Sequence, residues 1–405
     1  MPVVSSHMAL PLARLSEASP PPDTAEPQKN GVAVWPDDLT REVYGVLGFP
    51  LDVVDMATVL RRIRNADDNA AHFLISTTNL NYLVISRHDT EFRSSLLFSD
   101  LCTADGMPIV WIPRLLGVPI NDRIAGSDII DALKSSHDPS RRLKVFLFGG
   151  PEGVSDAACQ HINATADSMT CVGSYYPGYA TIDELSADDI IDMINSSEAD
   201  LLIACLGARK GQTWLQRNHD RLQIPIRVHL GAAVKYEAGT IKRAPVFMQR
   251  WGLEWLWRIK EEPHLWSRYF KDGAVLLQLL LTRIMPLVFL DRWHRLRRGR
   301  NEQDLLVMCS EHDNSVTLRL CGPATARHVS YAIRYFQEAL NTKKPITINF
   351  TDTDLIDARF IGLLLMLQKQ LKKRDLPLAF KGVPSRIERI LRLNGFGFLL
   401  RASKT

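Results

Sequence analysis

At 405 residues the chain is long enough for two domains with separate cores. Its 46% hydrophobic and 23% charged residues exclude a disordered or fibrous chain, and a net charge of +4 does not call for a nucleic-acid partner. The charge is uneven, because residues 283 to 300 hold six arginines against the single acid Asp291. Six cysteines without a Cys-x-x-Cys pair read as reduced, mostly buried thiols of a cytosolic protein, and no structural zinc is expected. Residues 1–40 hold a Pro-, Ser- and acid-rich stretch from Ser16 to Asn30 and read as a disordered leader, not a secretory signal.

From residue 41 to 239 apolar runs alternate with amphipathic stretches. Strands are predicted at 72–76, 144–148, 171–174 and 201–205, and helices at 80–87, 153–166, 186–195 and 212–220. This order predicts an α/β fold, a largely parallel sheet sandwiched by helices. Ligands of such sheets sit beyond the carboxyl ends of the strands, where Thr77, Asn79, Gly149, Gly150 and Gly207 fall. Residues 240–300 place Trp251, Trp255, Trp257 and Trp266 among Lys242, Arg243, Arg250, Arg258 and Arg268, behind Pro245, which can start a helix. Trp prefers an apolar–polar boundary and Arg grips phosphate through two hydrogen bonds. The residues alone admit two readings: a phosphate-binding segment at a membrane surface, or an ordinary amphipathic helix. The apolar run 274–290 is about 17 residues long, at the short limit for spanning, and is interrupted by Arg283 and Pro286. A helix lying in the cytoplasmic interface, with the following arginines on anionic headgroups, is expected over a span.

Past a hinge near 299–304 the pattern restarts. Strands are predicted at 315–320, 345–350 and 378–380, and helices at 324–340, 361–373 and 385–393. Residues 304–405 therefore form a second, smaller αβ domain. The chain's one Asp-x-Asp, Asp352 and Asp354, falls here, far from the earlier motifs, so no catalytic metal is expected.

Asp105, followed by Gly106 and Pro108, is either a turn former or an exposed carboxylate able to take a proton from an attacking hydroxyl. Thr77 and Asn79 can cap a helix, contact a ligand, or do both. Gly149 and Gly150 can bring backbone amides to a diphosphate. Tyr175, Tyr176 and Tyr179 can stack on a base or sugar, or simply be exposed.

Six blocks in order resemble one family. They are Thr77-Thr78-Asn79, Ala104-Asp105-Gly106-Met107-Pro108, Gly126-Ser127-Asp128, Phe148-Gly149-Gly150, Gly173 to Tyr179, and Gly239 to Pro263 with its Lys242-Arg243-Ala244-Pro245, Leu253-Glu254-Trp255 and Glu262-Pro263 steps. Over about residues 45–270 the chain is similar to the WecG/TagA/CpsF glycosyltransferases. The resemblance implies Asp105 as the base, Thr77 and Asn79 at the sugar, Gly149, Gly150, Tyr179 and Lys210 at the donor, and Arg243, Arg250 and Arg258 on phosphate beneath a segment that closes against the membrane. The loop Leu206 to Gln212 departs from the family's Gly-x-Pro-Lys-Gln-Glu: Arg209 replaces Pro, Gly211 replaces Gln and Gln212 replaces Glu. Two expectations follow: Gln212 stands in for the missing glutamine from the next position, or the site is retuned for another sugar.

The C-terminal order, with Asp354-Leu355-Ile356-Asp357 and Gly362, resembles a STAS domain. Switchable members carry a phosphorylatable Ser after the Asp, but Ala358 follows Asp357 here, so a docking module for another protein is expected. The implied function is an inverting, metal-independent and cofactor-free transfer of a sugar from a UDP-sugar to a polyprenyl-diphosphate-linked saccharide on the inner membrane face, in cell-surface or exopolysaccharide assembly, with homo-oligomers possible. The rival expectation is a catalytically degenerate nucleotide- or lipid-binding regulator.

Overall fold

The computed structural model describes residues 37–69, 71–135, 142–298 and 304–400, except the side chains of Arg250 and of residues 294–298. Residues 1–36 of the expected leader and 299–303 of the hinge lie outside the described residues; residues 37–40 correct the leader's boundary, because Asp38–Thr40 is a short helix with Asp38 and Leu39 buried. The first domain is built on six strands: β3 (Phe73–Thr78), β4 (Leu101–Ala104), β5 (Leu143–Phe148), β6 (Met169–Tyr175), β7 (Leu201–Ala204) and β8 (Ile226–His229). They pair in the order β4-β3-β8-β7-β5-β6, and every pair is parallel. β3, β4, β7 and β8 are buried along their whole length, as strands covered by helices on both faces must be. The expected parallel α/β sheet is therefore present. β4 and β8 have four residues each, too short for periodicity to separate from their surroundings.

A hairpin, β1 (Val43–Val46) and β2 (Phe49–Asp52), precedes the sheet. Its two-residue turn puts Leu47 and Gly48 at φ +49° and +100°, matching the right-handed strand twist. The smaller domain is a four-stranded sheet with strands β9 (Leu306–His312), β10 (Ser315–Ala324), β11 (Ile346–Ile356) and β12 (Leu378–Lys381), in the order β12-β11-β10-β9. Helices Val329–Asn341, Ala358–Lys372 and Ser385–Leu393 complete it.

The two domains share a core. The Ala358–Lys372 helix, N-capped by Asp357, buries residues on every side, including Phe360, Ile361, Leu364, Met366 and Leu367. One of its faces meets the sheet of its own domain; the other meets the β1–β2 hairpin, so Leu39 and Val43 belong to the C-terminal core. Close approach depends on two glycines: a Cβ on Gly362 would lie 2.0 Å from Val43 O, and one on Gly45 would lie 2.3 Å from Ile361 Cγ2. Beside this contact Lys369 Nζ, with no exposed surface, bonds Asp38 Oδ1 (2.9 Å), Asp100 Oδ1 (2.7 Å) and Ser99 O (3.1 Å). Arg41 adds Asp38 (2.9 Å) and Asp52 (2.8 Å). Burial raises the Asp38 pKa, but Lys369, Arg41 and Lys373 outweigh it and hold that carboxyl well below its usual range.

Residues 266–298 form one long helix: Trp266–Leu279, a π-helical turn Leu280–Ile284, then Met285–Arg298. The wide turn precedes Pro286, whose ring cannot sit under an α-helical carbonyl four residues back. Leu279, Ile284 and Val288 are buried against the hairpin and the 80–120 region, while Leu277, Leu281, Met285 and Phe289 are exposed.

One expectation is corrected here. Cys159 and Cys171 form a disulfide, so the reading of six reduced thiols fails for this pair. Cys159 on the Val154–Thr165 helix and Cys171 on β6 lie 5.2 Å apart at Cα, within bridging reach, a proximity that linear spacing does not reveal. Cys102 and Cys205 are free and buried, and burial pushes each thiol up to about 12.

Candidate active site

The carboxyl edge of the parallel sheet gathers most of the candidate residues, because each strand there ends in a turn. Asn79 follows β3 and caps the Leu80–Ser86 helix by accepting Tyr82 N–H (3.1 Å); its side chain also hydrogen-bonds to the Asp105 carboxylate. Capping and site contact are thus made by one residue. Asp105 follows β4, its own N–H held by Thr78 O (2.8 Å), and Gly106 at φ +90° turns the chain into the Met107–Leu115 helix. Thr77 is buried within β3. Gly149 and Gly150, at φ +94° and +93°, follow β5; a Cβ on Gly149 would meet Leu206 Cδ2 at 2.6 Å.

The electrostatics around Asp105 are unusual. Burial pushes its carboxyl up to about 7; Arg123 and the Asn79 hydrogen bond oppose that rise, while Glu254 and Asp128 add to it. A carboxylate with this affinity for protons is matched to accepting one near neutral pH.

The Trp-rich segment folds over this edge. Pro245 leads the Val246–Arg250 helix, and a turn at Gly252 leads into the Glu254–Glu261 helix. Gly252 lies so close to Met107 that a Cβ would sit 2.7 Å from Met107 Cγ. Glu254 Oε2 accepts from Arg123 Nη1 (2.5 Å), and Arg123 also reaches Asp128 (3.2 Å). The segment is therefore tied by charge to the Asp105 neighbourhood. Its outer surface is apolar: Phe247, Trp251, Trp255 and Trp266 are exposed, Trp251 at 74%.

Two expected phosphate ligands are already engaged. Arg243 pairs with Asp128 and Asp131, and Arg258 pairs with Glu262 and donates to Tyr236 OH (3.1 Å). The Arg250 side chain lies outside the described residues. Lys210 donates to Ala180 O (2.6 Å) and lines a cavity of about 460 Å³ with Asn81, Gly207 and Arg209. Tyr179 projects fully into solvent.

Gln212 is not brought to the cleft, which corrects the expectation that it replaces the family's glutamine. It is wholly buried and donates to Ser76 Oγ (2.7 Å) in mid-β3, because the helical step from 211 to 212 turns the side chain toward the sheet interior. At 211 the space is taken by His229. A Cβ there would lie 2.3 Å from His229 Cδ2, so Gly is required. His229 ends β8, with Nε2 donating to Leu206 O (2.6 Å) and Nδ1 accepting from Tyr82 OH (2.7 Å). Burial lowers its pKa, in keeping with this neutral tautomer. Sequence reasoning missed Arg123, Tyr82 and His229. The loss of the glutamine at 211 was the one available sign of the last.

Among the described residues no group of three or more His, Cys, Asp or Glu is placed to hold a metal ion, and Asp352 is engaged by Arg319 (2.6 Å).

The family model of glycosyl transferases WecG/TagA/CpsF matches residues 44–287. The chain belongs to this family. It is a glycosyltransferase, and a STAS domain model matches residues 307–401. Two relatives are N-acetylglucosaminyldiphosphoundecaprenol N-acetyl-β-D-mannosaminyltransferases of Bacillus spizizenii and Bacillus subtilis, each 25% identical to the chain. The first alignment covers 50% of this chain and 76% of the relative, the second 51% and 78%. The enzyme of the same name from Staphylococcus aureus MRSA252 is 22% identical over 53% of this chain and 82% of its own length. These matches bear out the glycosyltransferase reading of the fold.

Proposed function

We propose that this glycosyltransferase moves a sugar from a UDP-sugar to a polyprenyl-diphosphate-linked saccharide at the inner membrane face, in cell-surface polysaccharide assembly. The observation that carries the reading is Asp105, held near pKa 7 beneath a charge-tethered segment whose outer face is exposed tryptophan and phenylalanine. In the proposed step the acceptor hydroxyl oxygen attacks the anomeric carbon while its proton passes to Asp105. The bond from that carbon to the diphosphate oxygen breaks, and UDP departs with the electron pair, inverting the centre. Asn79 orients the carboxylate through its hydrogen bond.

Leaving-group charge is met by basic side chains, without a metal. Arg123 stands beside Asp105, and Arg243 is one carboxylate, Asp128, away. A diphosphate can compete with Asp128 and Asp131 for Arg243, which would couple donor binding to the seating of the segment.

The relatives' names make an N-acetylglucosaminyl-diphosphate lipid the acceptor to test first. Membrane docking is supported by the exposed apolar faces of the Trp segment and of the 266–298 helix. Among the described residues Pro263–Trp293 is the one helix long and apolar enough to cross a membrane. Its packing on the hairpin favours a helix lying along the surface. The STAS domain's Ala358–Lys372 helix is taken up inside the same chain, so a protein partner would be met by other faces, such as the β9 edge.

UDP release should be measured with a panel of UDP-sugars and one lipid-diphosphate acceptor. Release that depends on both substrates and on Asp105 is the expected result. No release from any UDP-hexose or UDP-N-acetylhexosamine would overturn the donor assignment.

A further inference from the structure

Where the long helix passes the C-terminal domain, the two line a second, open cavity of about 430 Å³, apart from the Asp105 edge. Its wall includes Thr282, Arg283, Ser385, Glu388, Arg389 and Arg392. Glu388 is already neutralised by Arg392, whose Nε and Nη2 reach Oε1 at 2.8 and 2.6 Å. Arg283 and Arg389 have no carboxylate partner among the described residues. Arg283 is partly buried in the π-helical turn, and both burial and neighbouring Arg87 disfavour its charge. A cation kept in such a place needs an anion. The Ser385–Leu393 helix opens on the same wall; Pro384 offers its first-turn amides no side-chain cap, so they add a further positive end.

The position of the cavity indicates the source of the anion. Arg283 lies on a helix whose neighbouring exposed positions are Leu277, Leu281, Met285 and Phe289, with Leu281 and Phe289 each 65% exposed. That stripe is suited to acyl chains, and Arg283, half-buried on the same helix, lines the pocket with Ser385, Arg389 and Arg392 of the C-terminal domain. We propose that this cavity binds the phosphate of an anionic membrane phospholipid. Arg283 and Arg389 would clamp the phosphate, Arg392 would supply outer charge, and the acyl chains would run along the Leu277–Phe289 stripe. Bound lipid would then join the long helix to the STAS domain, which is itself welded to the catalytic sheet through Lys369. Only the source of the lipid rests on the membrane-docked reading; the cavity and its charges do not.

The test uses the full chain and dihexanoyl phosphatidylglycerol below its micelle concentration, titrated by calorimetry, so that no bilayer is needed. One saturable site is expected, with dihexanoyl phosphatidylcholine binding at least tenfold more weakly. Arg283→Gln with Arg389→Gln should weaken the anionic lipid at least tenfold. Arg334→Gln with Lys343→Gln, which removes the same charge from exposed positions elsewhere on the C-terminal domain, should leave binding unchanged. Arg389→Glu alone, at an exposed position that cannot disturb the core, should also abolish binding and guards against misfolding of the double variant.

No saturable site, or equal loss in the control variant, would overturn the proposal. Inorganic phosphate binding as tightly as the lipid would overturn the lipid assignment. Sedimentation with phosphatidylglycerol vesicles reports docking separately: lipid binding without sedimentation would leave the cavity standing and remove the membrane-docked reading, and sedimentation without short-chain binding would do the reverse.

Discussion

Replacing Lys369 by Met keeps most of the aliphatic stem and removes the ammonium that Asp38 and Asp100 share across the domain junction. The two acids are not left equal. Asp38 retains Arg41 at 2.9 Å, with Lys373 at 3.5 Å, whereas Asp100 retains chiefly the Leu74 amide at 3.0 Å. Removing one partner of a buried ion pair costs about 3–5 kcal/mol, and here most of that falls on Asp100. With a urea slope of about 3 kcal/mol/M, the unfolding midpoint of the full chain should fall by roughly 1–1.7 M. Adding Asp100→Asn removes the stranded charge and should recover part of the loss. The pH dependence has a fixed sign. The folded-state pKa values of Asp38 and Asp100 lie below those of the unfolded chain, so their stabilisation is present above the ordinary carboxylate range and is lost as pH falls through the folded values. The gap between wild type and Lys369→Met should therefore be widest at neutral pH and shrink on acidification. Urea titrations followed by tryptophan fluorescence and circular dichroism read all of this. A loss below about 1 kcal/mol, the scale of an exposed pair, would refute the reasoning. So would a double variant no more stable than Lys369→Met.

Asp105→Asn should lower turnover by about 10²-fold or more without unfolding the chain. Because the Asp105 pKa is raised, stability is lost as pH rises from the ordinary carboxylate range to about 7, and the loss is complete above that, so Asp105→Asn should also raise the thermal midpoint at pH 8, measured by calorimetry. In the wild type, kcat/KM should climb with pH through about 7, and a flat profile would remove Asp105 as the titrating base. Transfer should persist in excess EDTA; complete loss restored by Mg²⁺ or Mn²⁺ would reveal a metal requirement. Leu281→Ser with Phe289→Ser, both on exposed positions, should weaken sedimentation with anionic vesicles, and the remaining attraction should decline with salt. These point changes are a better test than ending the chain near residue 239, which would also strip Leu279, Ile284 and Val288 from the core they share with Phe49 and Leu51.

Much of this protein follows from local chemistry and is legible in the chain. The runs 72–76, 144–148 and 201–205 announce buried strands, since apolar β-branched or aromatic stretches bounded by Gly or Ser suit a sheet covered on both faces. Asp105 before Gly106 marks a strand end, and the Trp–Arg mixture after Pro245 marks a helix with an apolar outer face. Local pattern reports the period of burial and not its partner, and the rest of the architecture is a matter of partners. Arg123 meets Glu254 across 131 positions, and Lys369 meets Asp38 across 331. Gln212 is polar enough to suit a cleft, yet one helical step turns it onto Ser76 inside the protein, while Gly211 is compelled by an imidazole arriving from β8. The C-terminal domain reads as a detachable module because its own pattern is complete. Only packing shows that its Ala358–Lys372 helix, apolar on two faces, buries the second against the β1–β2 hairpin, where Gly45 and Gly362 let the backbones touch.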